Sequence, residues 1–305
     1  MRLLIKVTEI FLKISFLLLL LVKLNSCGIY RPVSAKDYPP EPEKRIQKNL
    51  QEGKGFTIMG GMNKSKGGDF DFATSNEILM KVIGIIPSRY ESTRFPGKPL
   101  TLLDGVPMIK RVYDICYSTG LKTYVLTDDM RIFNLFGADN CWIEEEHVAP
   151  YTNGTERCAG AVSKFDKLKK YEYFVNVQGD MPDITVEIIN RVIEWLKYYP
   201  ISTVYTTMSK EKQNDPNTVK LVRAGDQVLW CARGFKGYGE HHLGVYGYRE
   251  DALKLYNDLE VPEEENIEGL EQLRWLKNAW EIGCSHVDFD GIEINSPEDV
   301  NEWQN

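Results

Sequence analysis

From Met80 onward the sequence predicts an α/β fold, a mostly parallel open sheet with helices on both faces. Apolar strand-like runs alternate with segments of helical spacing, the pattern of strands linked by helical crossovers. The first run, Val82-Ile83-Gly84-Ile85-Ile86, is apolar throughout and reads as a buried strand. Charged segments stand directly behind the strand runs, where open α/β sheets bind their ligands.

The elements follow in chain order. Val82–Ile86 is the first strand. Pro107–Thr119 places Met108, Val112, Ile115 and Cys116 on one helical face. Thr123–Thr127 is a second strand and ends in Asp128-Asp129. Cys158–Lys170 is expected as a helix, and Tyr173–Val177 as a third strand ending in Gln178-Gly179-Asp180. Ile184–Tyr198 is strongly amphipathic. Val219–Arg233 reads as two strands joined by Gly225-Asp226, Leu243–Tyr248 as another strand, and Glu268–Trp280 as a helix.

The chemistry concentrates behind the strands. Arg89-Tyr90-Glu91-Ser92-Thr93-Arg94-Phe95-Pro96-Gly97-Lys98 brings three cations to one small-residue turn. Guanidinium groups bind phosphate oxygens in pairs and lysine supplies a point charge. Arg89, Arg94 and Lys98 therefore suit a triphosphate. The segment is not a Walker loop, because Pro99 follows Gly97-Lys98 and the glycine spacing differs. Asp180, just past a strand end, is placed as a magnesium ligand, and Gly179 allows close backbone approach.

Three further segments admit a structural and a functional reading. Thr152-Asn153-Gly154-Thr155-Glu156-Arg157 reads, on its own, as a helix N-cap with Glu in the first turn. In His241-His242 the two side chains point to opposite faces of an extended chain, so one is expected at substrate and the other at the surface. In Leu270-Glu271-Gln272-Leu273-Arg274 the leucines fit a core and the polar residues a solvated face.

The 305 residues suffice for one large domain or two ordinary ones. A composition of 43% hydrophobic and 27% charged residues is that of a soluble globular protein. The net charge of −7 argues against a basic nucleic-acid-binding surface, so the cationic loop reads as a small-anion site. The six cysteines show no C-x-x-C spacing, and most are expected to be small buried hydrophobes.

The N-terminus differs in character. Cations at Arg2, Lys6 and Lys13 precede the apolar run Ile14–Val22 and then Leu24-Asn25-Ser26-Cys27. That is the layout of a secretory signal, and Leu-x-Ser-Cys resembles the lipobox of a bacterial lipoprotein. The run is short for a membrane span, which takes about 20 residues. Residues 28–79, with Pro39-Pro40-Glu41-Pro42 and Gly-rich stretches, read as linker or disordered chain. Cys27-Gly28-Ile29-Tyr30-Arg31-Pro32 and Phe72-Ala73-Thr74-Ser75-Asn76-Glu77 resemble the start of a group of small bacterial lipoproteins. Met80 stands where a start residue would, which divides the chain into a signal-like segment 1–27, a linker-like segment 28–79 and an enzyme domain 80–305.

The motifs taken together resemble the CMP-Kdo synthetases, the 3-deoxy-manno-octulosonate cytidylyltransferases. The carriers are Pro87–Leu100, Gly154-Thr155-Glu156-Arg157, Asn176-Val177-Gln178-Gly179-Asp180, Asp215-Pro216-Asn217, His242-Leu243-Gly244-Val245-Tyr246 and Leu270-Glu271-Gln272-Leu273-Arg274, in the family's order over residues 81 to 303. The resemblance implies a nucleotide-diphospho-sugar transferase fold. It implies transfer of CMP from CTP to a 3-deoxy-2-ulosonic acid with release of pyrophosphate, in precursor synthesis for lipopolysaccharide or surface glycan. It implies that Arg89, Arg94 and Lys98 hold the triphosphate, with Ser92 in the same loop and Thr155 near the nucleotide. Asp180 would bind Mg²⁺. Gln178, Arg233, His242, Glu271 and Gln272 would shape the sugar-acid pocket. The family tends to form homodimers.

Two departures stand out. Where the family has Val-Asp-Thr-Pro-Glu-Asp, with the first Asp a second magnesium ligand, this chain has Ile294-Asn295-Ser296-Pro297-Glu298-Asp299. Asn295 offers a carbonyl oxygen in place of the carboxylate, and Asp290 or Glu293 could contribute. The stretch Trp230–Tyr238 is shorter than the family's, which leaves Kdo, an amino-Kdo and a sialic-type nonulosonic acid open as substrates. A catalytically weakened, lipoprotein-fused binding protein is the reading from another class. CTP places the enzyme in the cytoplasm, against the signal-like N-terminus; membrane attachment is expected only if that signal works.

Overall fold

In the computed structural model, β1 (Val82–Ser88) is buried at every position, as a strand covered on both faces must be. The structure describes residues 80–91, 95–144 and 151–304. The signal-like segment 1–27, the linker-like segment 28–79 and the loop positions Ser92 and Arg94 lie outside them. Behind β1 the chain makes a one-turn helix, Lys98–Leu100, and a short hairpin of β2 (Leu102–Leu103) and β3 (Val106–Pro107). Helix α1 (Met108–Ser118) starts after Pro107 and buries Met108, Ile109, Val112, Tyr113 and Cys116 along one face. Strand β4 (Thr123–Thr127), helix α2 (Met130–Phe136) and strand β5 (Cys141–Ile143) follow.

Helix α3 (Gly154–Lys164) starts earlier than its apolar pattern indicates, because Asn153 caps it: the carboxamide oxygen accepts from Glu156 N at 2.8 Å. Strand β6 (Tyr173–Val177) returns to the sheet. Helix α4 (Val186–Trp195) is shorter than the amphipathic run, since Thr185 takes the N-cap. Strand β7 (Ile201–Thr206) and the short α5 (Lys210–Asn214) lead to β8 (Lys220–Ala224) and β9 (Gln227–Ala232), joined through Gly225 at φ 61°. The long β10 (Glu240–Arg249) precedes α6 (Glu250–Leu255), α7 (Glu263–Glu268) and α8 (Gln272–Lys277). The helix expected over 268–280 is divided, because Gly269 takes the left-handed conformation that ends α7. Strand β11 (Ile282–His286) and α9 (Pro297–Gln304) complete the chain.

The strands form a nine-stranded sheet in the order β5-β4-β1-β6-β10-β7-β11-β9-β8, with β8 also pairing β10. β5, β4, β1 and β6 are mutually parallel, β7 and β11 parallel one another, and β10 and β9 run against the rest. The expected mostly parallel sheet is therefore present, with β10 inserted antiparallel between β6 and β7. Helices cover both faces. Ile83, Ile85 and Phe174 pack with Cys158, Ala161, Leu253 and Trp275 from α3, α6 and α8. Val82, Ile86 and Val175 pack with Val112, Cys116, Ile189 and Val192 from α1 and α4. Cys116, Cys141, Cys158, Cys231 and Cys284 are buried free thiols, as expected of small core residues. A third cluster of Leu103, Met108 and Ile294, with Val300 and Trp303 against it, fastens the C-terminal segment to the hairpin behind β1. No helix among the described residues is long and apolar enough to cross a membrane.

Candidate active site

The carboxyl ends of β1, β4 and β6 and the amino end of β10 open on the same edge of the sheet. The cationic loop turns there at Gly97, whose φ is +73°. A Cβ at this position would stand 2.9 Å from the Tyr90 hydroxyl, so both the backbone conformation and the space demand glycine. Gly97 N also donates to Tyr90 O at 3.1 Å, which closes the turn. Lys98 is thereby carried inward. Its Nζ bonds Asp180 Oδ2 at 2.7 Å and Ile294 O at 3.1 Å, while Ile294 N donates to Asp180 O at 3.0 Å. The loop, the end of β6 and the segment 293–295 thus meet at one point. Arg89, the residue after β1, is exposed.

Asn295 sits beside this junction with its backbone fixed: Asn295 N and Ser296 N donate to Asp299 Oδ2 at 2.7 and 2.8 Å. Asp183 holds the same segment, accepting from Ile292 N at 3.0 Å and from Trp303 Nε1 at 2.7 Å. Burial, and then the charge of Asp180, push the Glu293 carboxyl up to about 7, against the charges of Lys212, Arg233 and Lys98.

A second cluster lies between α3, β6 and α8. Thr155 N donates to Glu271 Oε2 at 3.0 Å, and Gln178 Nε2 approaches Glu271 Oε1 at 3.4 Å. Burial pushes the Glu271 carboxyl up, and the bond from Thr155 pulls it back. The Thr155 hydroxyl lies 3.0 Å from the Tyr248 hydroxyl. Gln178 threads between two glycines: a Cβ on Gly154 would meet its Nε2 at 3.4 Å, and one on Gly244 its Cγ at 3.1 Å. Gly244 lies in a register shift of β10 between Leu243 and Tyr246, a bulge of the kind that re-aims side chains beside sites.

His242 is buried, with Nε2 3.1 Å from Thr203 Oγ1; that hydroxyl donates to Val245 O at 2.8 Å, which assigns the ring as the Nε2–H tautomer. Its neighbour His241, expected at the surface, is 7% exposed: β8 and β7 cover β10 where alternation alone would have left one side open. Arg233 donates from its backbone N to Glu268 Oε2 at 2.7 Å and from its guanidinium to Asn217 O. Gln272 and Arg274 are 4% and 3% exposed, not solvated. Leu270 and Leu273 are core residues as the spacing requires.

Two supporting residues, Arg157 and Lys220, have no role that the sequence assigns, although Arg157 stands in one of the motifs. Arg157 in α3, 3% exposed, binds Asp128 at 3.1 Å and also Glu144, and so ties the end of β4 to the helix. Lys220 is wholly buried and donates to Asp215 O and, at 2.8 Å, to Arg233 O, joining the Asp215-Pro216-Asn217 segment to the loop after β9. A lysine at the start of a strand, between Val219 and Leu221, is the one feature that could have pointed to such a junction.

A lysine and carboxylates at the carboxyl edge of an α/β sheet stand where such sheets bind their ligands, and the fold is that of the nucleotide-diphospho-sugar transferases, as the solved structure described below shows. The cytidylyltransferase family profile matches residues 83–282. The 3-deoxy-manno-octulosonate cytidylyltransferase of Arabidopsis thaliana, a mitochondrial protein, is 36% identical over 246 residues, 74% of this chain and 83% of the relative. The 8-amino-3,8-dideoxy-manno-octulosonate cytidylyltransferase of Shewanella sp. is 34% identical over 244 residues, 74% of this chain and 98% of the relative. The structure of a CMP:2-keto-3-deoxy-manno-octonic acid synthetase complexed with CTP superposes with a TM-score of 0.66 at 28% identity, covering 73% of this chain and 97% of the other. The chain belongs to the cytidylyltransferase family, and within it to the CMP-Kdo synthetases.

Proposed function

We propose that this protein transfers CMP from CTP to 3-deoxy-manno-octulosonate, releasing pyrophosphate. The observation that carries the reading is the junction of Lys98, Asp180 and the Ile294–Asn295 segment at the carboxyl edge of the sheet, with Lys98 Nζ 2.7 Å from Asp180. In the reaction an anomeric hydroxyl oxygen of the sugar bonds to the α-phosphorus. The bond from that phosphorus to the bridging oxygen of the β-phosphate breaks, pyrophosphate takes the electron pair, and the hydroxyl proton is lost to the site. Little covalent chemistry is asked of the protein, so alignment and charge neutralisation carry the rate.

Arg89, Arg94 and Lys98 are assigned to the triphosphate, with Ser92 and Thr155 alongside. Gln178 and Glu271 are assigned to the sugar acid, with Gln272, His242 and Arg233 behind them. Magnesium takes one or two protein oxygens and leaves its other positions to water and phosphate. Among the described residues no three His, Cys, Asp or Glu groups are placed to hold an ion by themselves. The Asp180 carboxylate, with Asn295 next in the chain to Ile294, whose N donates to Asp180 O, fits the lighter requirement. Bound there, the ion would neutralise charge on the phosphates as pyrophosphate leaves. Lys98 would then exchange its bond with Asp180 for a phosphate oxygen.

The test is pyrophosphate release from CTP with a panel of acids: 3-deoxy-manno-octulosonate, its 8-amino-8-deoxy analogue and a sialic acid. Fastest release with the first supports the reading, fastest release with another acid replaces the substrate, and no release with any acid overturns it. Chelation is expected to abolish turnover and added Mg²⁺ to restore it. The supply of CTP argues for the cytoplasm; mass spectrometry of the mature N-terminus checks this, and a lipidated Cys27 would overturn it.

A further inference from the structure

Arg274 touches none of Lys98, Asp180 or Gln178 in the hydrogen bonds it makes, yet it closes a ring of contacts around the second cluster. Its Nε donates to Glu265 Oε2 at 2.8 Å, and its Nη2 donates to Glu265 Oε1 at 2.6 Å and to Glu156 Oε1 at 2.7 Å. The guanidinium lies 4.2 Å from the centroid of the Tyr256 ring. Each partner leads onward. Glu156 accepts from Thr152 N and Oγ1 at 2.7 and 2.8 Å. The Asn153 amide group reaches Glu265 Oε1 at 3.3 Å and the Tyr256 hydroxyl at 3.4 Å, and that hydroxyl donates to Glu271 O at 2.9 Å. The ring closes where Thr155 N donates to Glu271 Oε2 at 3.0 Å.

The arrangement is poorly explained as a device for stability. Buried ion pairs are offset by the desolvation of their charges, and apolar replacements of similar volume often serve as well. It is well explained as a device for geometry. Three carboxylates, Glu156, Glu265 and Glu271, converge on the start of α3, where without a cation they would repel. Arg274 neutralises two of them in a fixed fork and makes no bond to the third, Glu271, whose carboxylate accepts from the Thr155 amide and, at 3.4 Å, from Gln178 Nε2. We propose that Arg274 is a positioning residue: by clamping Glu156 to Glu265 it fixes the Asn153–Thr155 helix start against Glu271, and so sets where the Glu271 carboxylate meets the sugar acid. The sugar-acid part of this rests on the function proposed above.

The test uses the full chain and two readouts. Without substrate, hydrogen exchange at the Thr155 amide reads the clamp directly. Arg274→Lys, which keeps the charge and loses the fork, is expected to speed that exchange about tenfold, the loss of one charge-assisted bond's worth of protection. Glu265→Gln, which keeps the shape, is expected to speed it less. Unchanged exchange in both folded variants overturns the clamp. With substrate, Arg274→Lys is expected to raise KM for the acid roughly tenfold and leave KM for CTP within about twofold. In a Glu271→Gln background the same change is expected to have little further effect on KM for the acid. A full additional loss there means that Arg274 does not act through Glu271 and overturns the positioning role. Absence of turnover in the unaltered protein would instead strike the proposed function, and the exchange measurement would still judge the clamp.

Discussion

Lys98 shows how one residue is placed by its neighbours and what it is free to do. Gly97 permits the turn that Tyr90 closes, and Pro99 behind it is buried, so the lysine stem is delivered inward with little choice of direction. Its side chain keeps 19% of its surface exposed, and that of Asp180 keeps 28%. A partly solvated pair of this kind contributes at most about 1 kcal/mol to stability. Its charge matters more where phosphate charge is to be neutralised. Lys98→Ala is therefore expected to leave the unfolding midpoint within about 3 °C, consistent with so small a stability change. Turnover is expected to fall about 100-fold or more, the cost of removing one charge-stabilising donor from a preorganised site. Circular dichroism melts and pyrophosphate release measure both, and near-normal turnover would remove Lys98 from the mechanism.

At the scale of elements, β10 carries the greatest contrast between what sequence patterning conveys and what the fold does. Its apolar run was legible, but its direction, its bulge at Gly244 and the burial of both histidines were not, because they depend on β7, β8 and β6 packed around it. β7 and β11 mix serine, threonine or glycine with their apolar residues, and β5 has three residues; such runs lack the continuous apolar stretch or the period that marks an element in isolation. The site was legible where a motif is local. The cap at Asn153 and the glutamate in the first turn of α3 are both present. What local pattern could not convey is that this glutamate reaches Arg274, 118 positions on.

The buried histidines give β10 a measurable signature. Burial pushes His241 down to about 4 and His242 to about 3. Lys212 and Lys220 press His241 the same way against Asp215, and His241 and Arg233 press His242. Both rings are thus neutral in the folded chain where the unfolded chain, titrating near 6.5, takes up protons. The contribution of the two rings is whole above about pH 6.5 and declines as the pH falls, by up to roughly 1.4 kcal/mol per pH unit for each ring. Over the same interval the raised carboxyls of Glu293 and Glu271 act the other way, because the folded chain holds protons there that the unfolded chain has lost. The histidines are therefore read by difference: between pH 6.5 and about 4.5 the urea midpoint of the full chain is expected to drop relative to that of the His241→Gln/His242→Gln variant. Equal changes in the two proteins would assign the dependence elsewhere.

For the molecule as a whole, the fold and the family relationship coincide on the same stretch of chain. The two large core clusters take their described members from Met80 to Val287, and the third adds Ile294 and Trp303. Met80 itself is 5% exposed and belongs to the same cluster as Val82, Val112 and Cys116. The Shewanella relative is matched over 98% of its length by 74% of this chain, which means that a protein of about this domain's extent is a whole enzyme in that organism. Residues 80–305 expressed alone are therefore expected to unfold in one cooperative transition with a midpoint within about 3 °C of the full chain, since the three described core clusters lie within them. Their kcat with CTP and the preferred acid is expected to match that of the full chain within about twofold, because every group assigned to the reaction lies after Met80. A fragment that aggregates or melts without cooperativity would show that residues 1–79 complete the fold. A cooperative fragment without turnover would show that they complete the site.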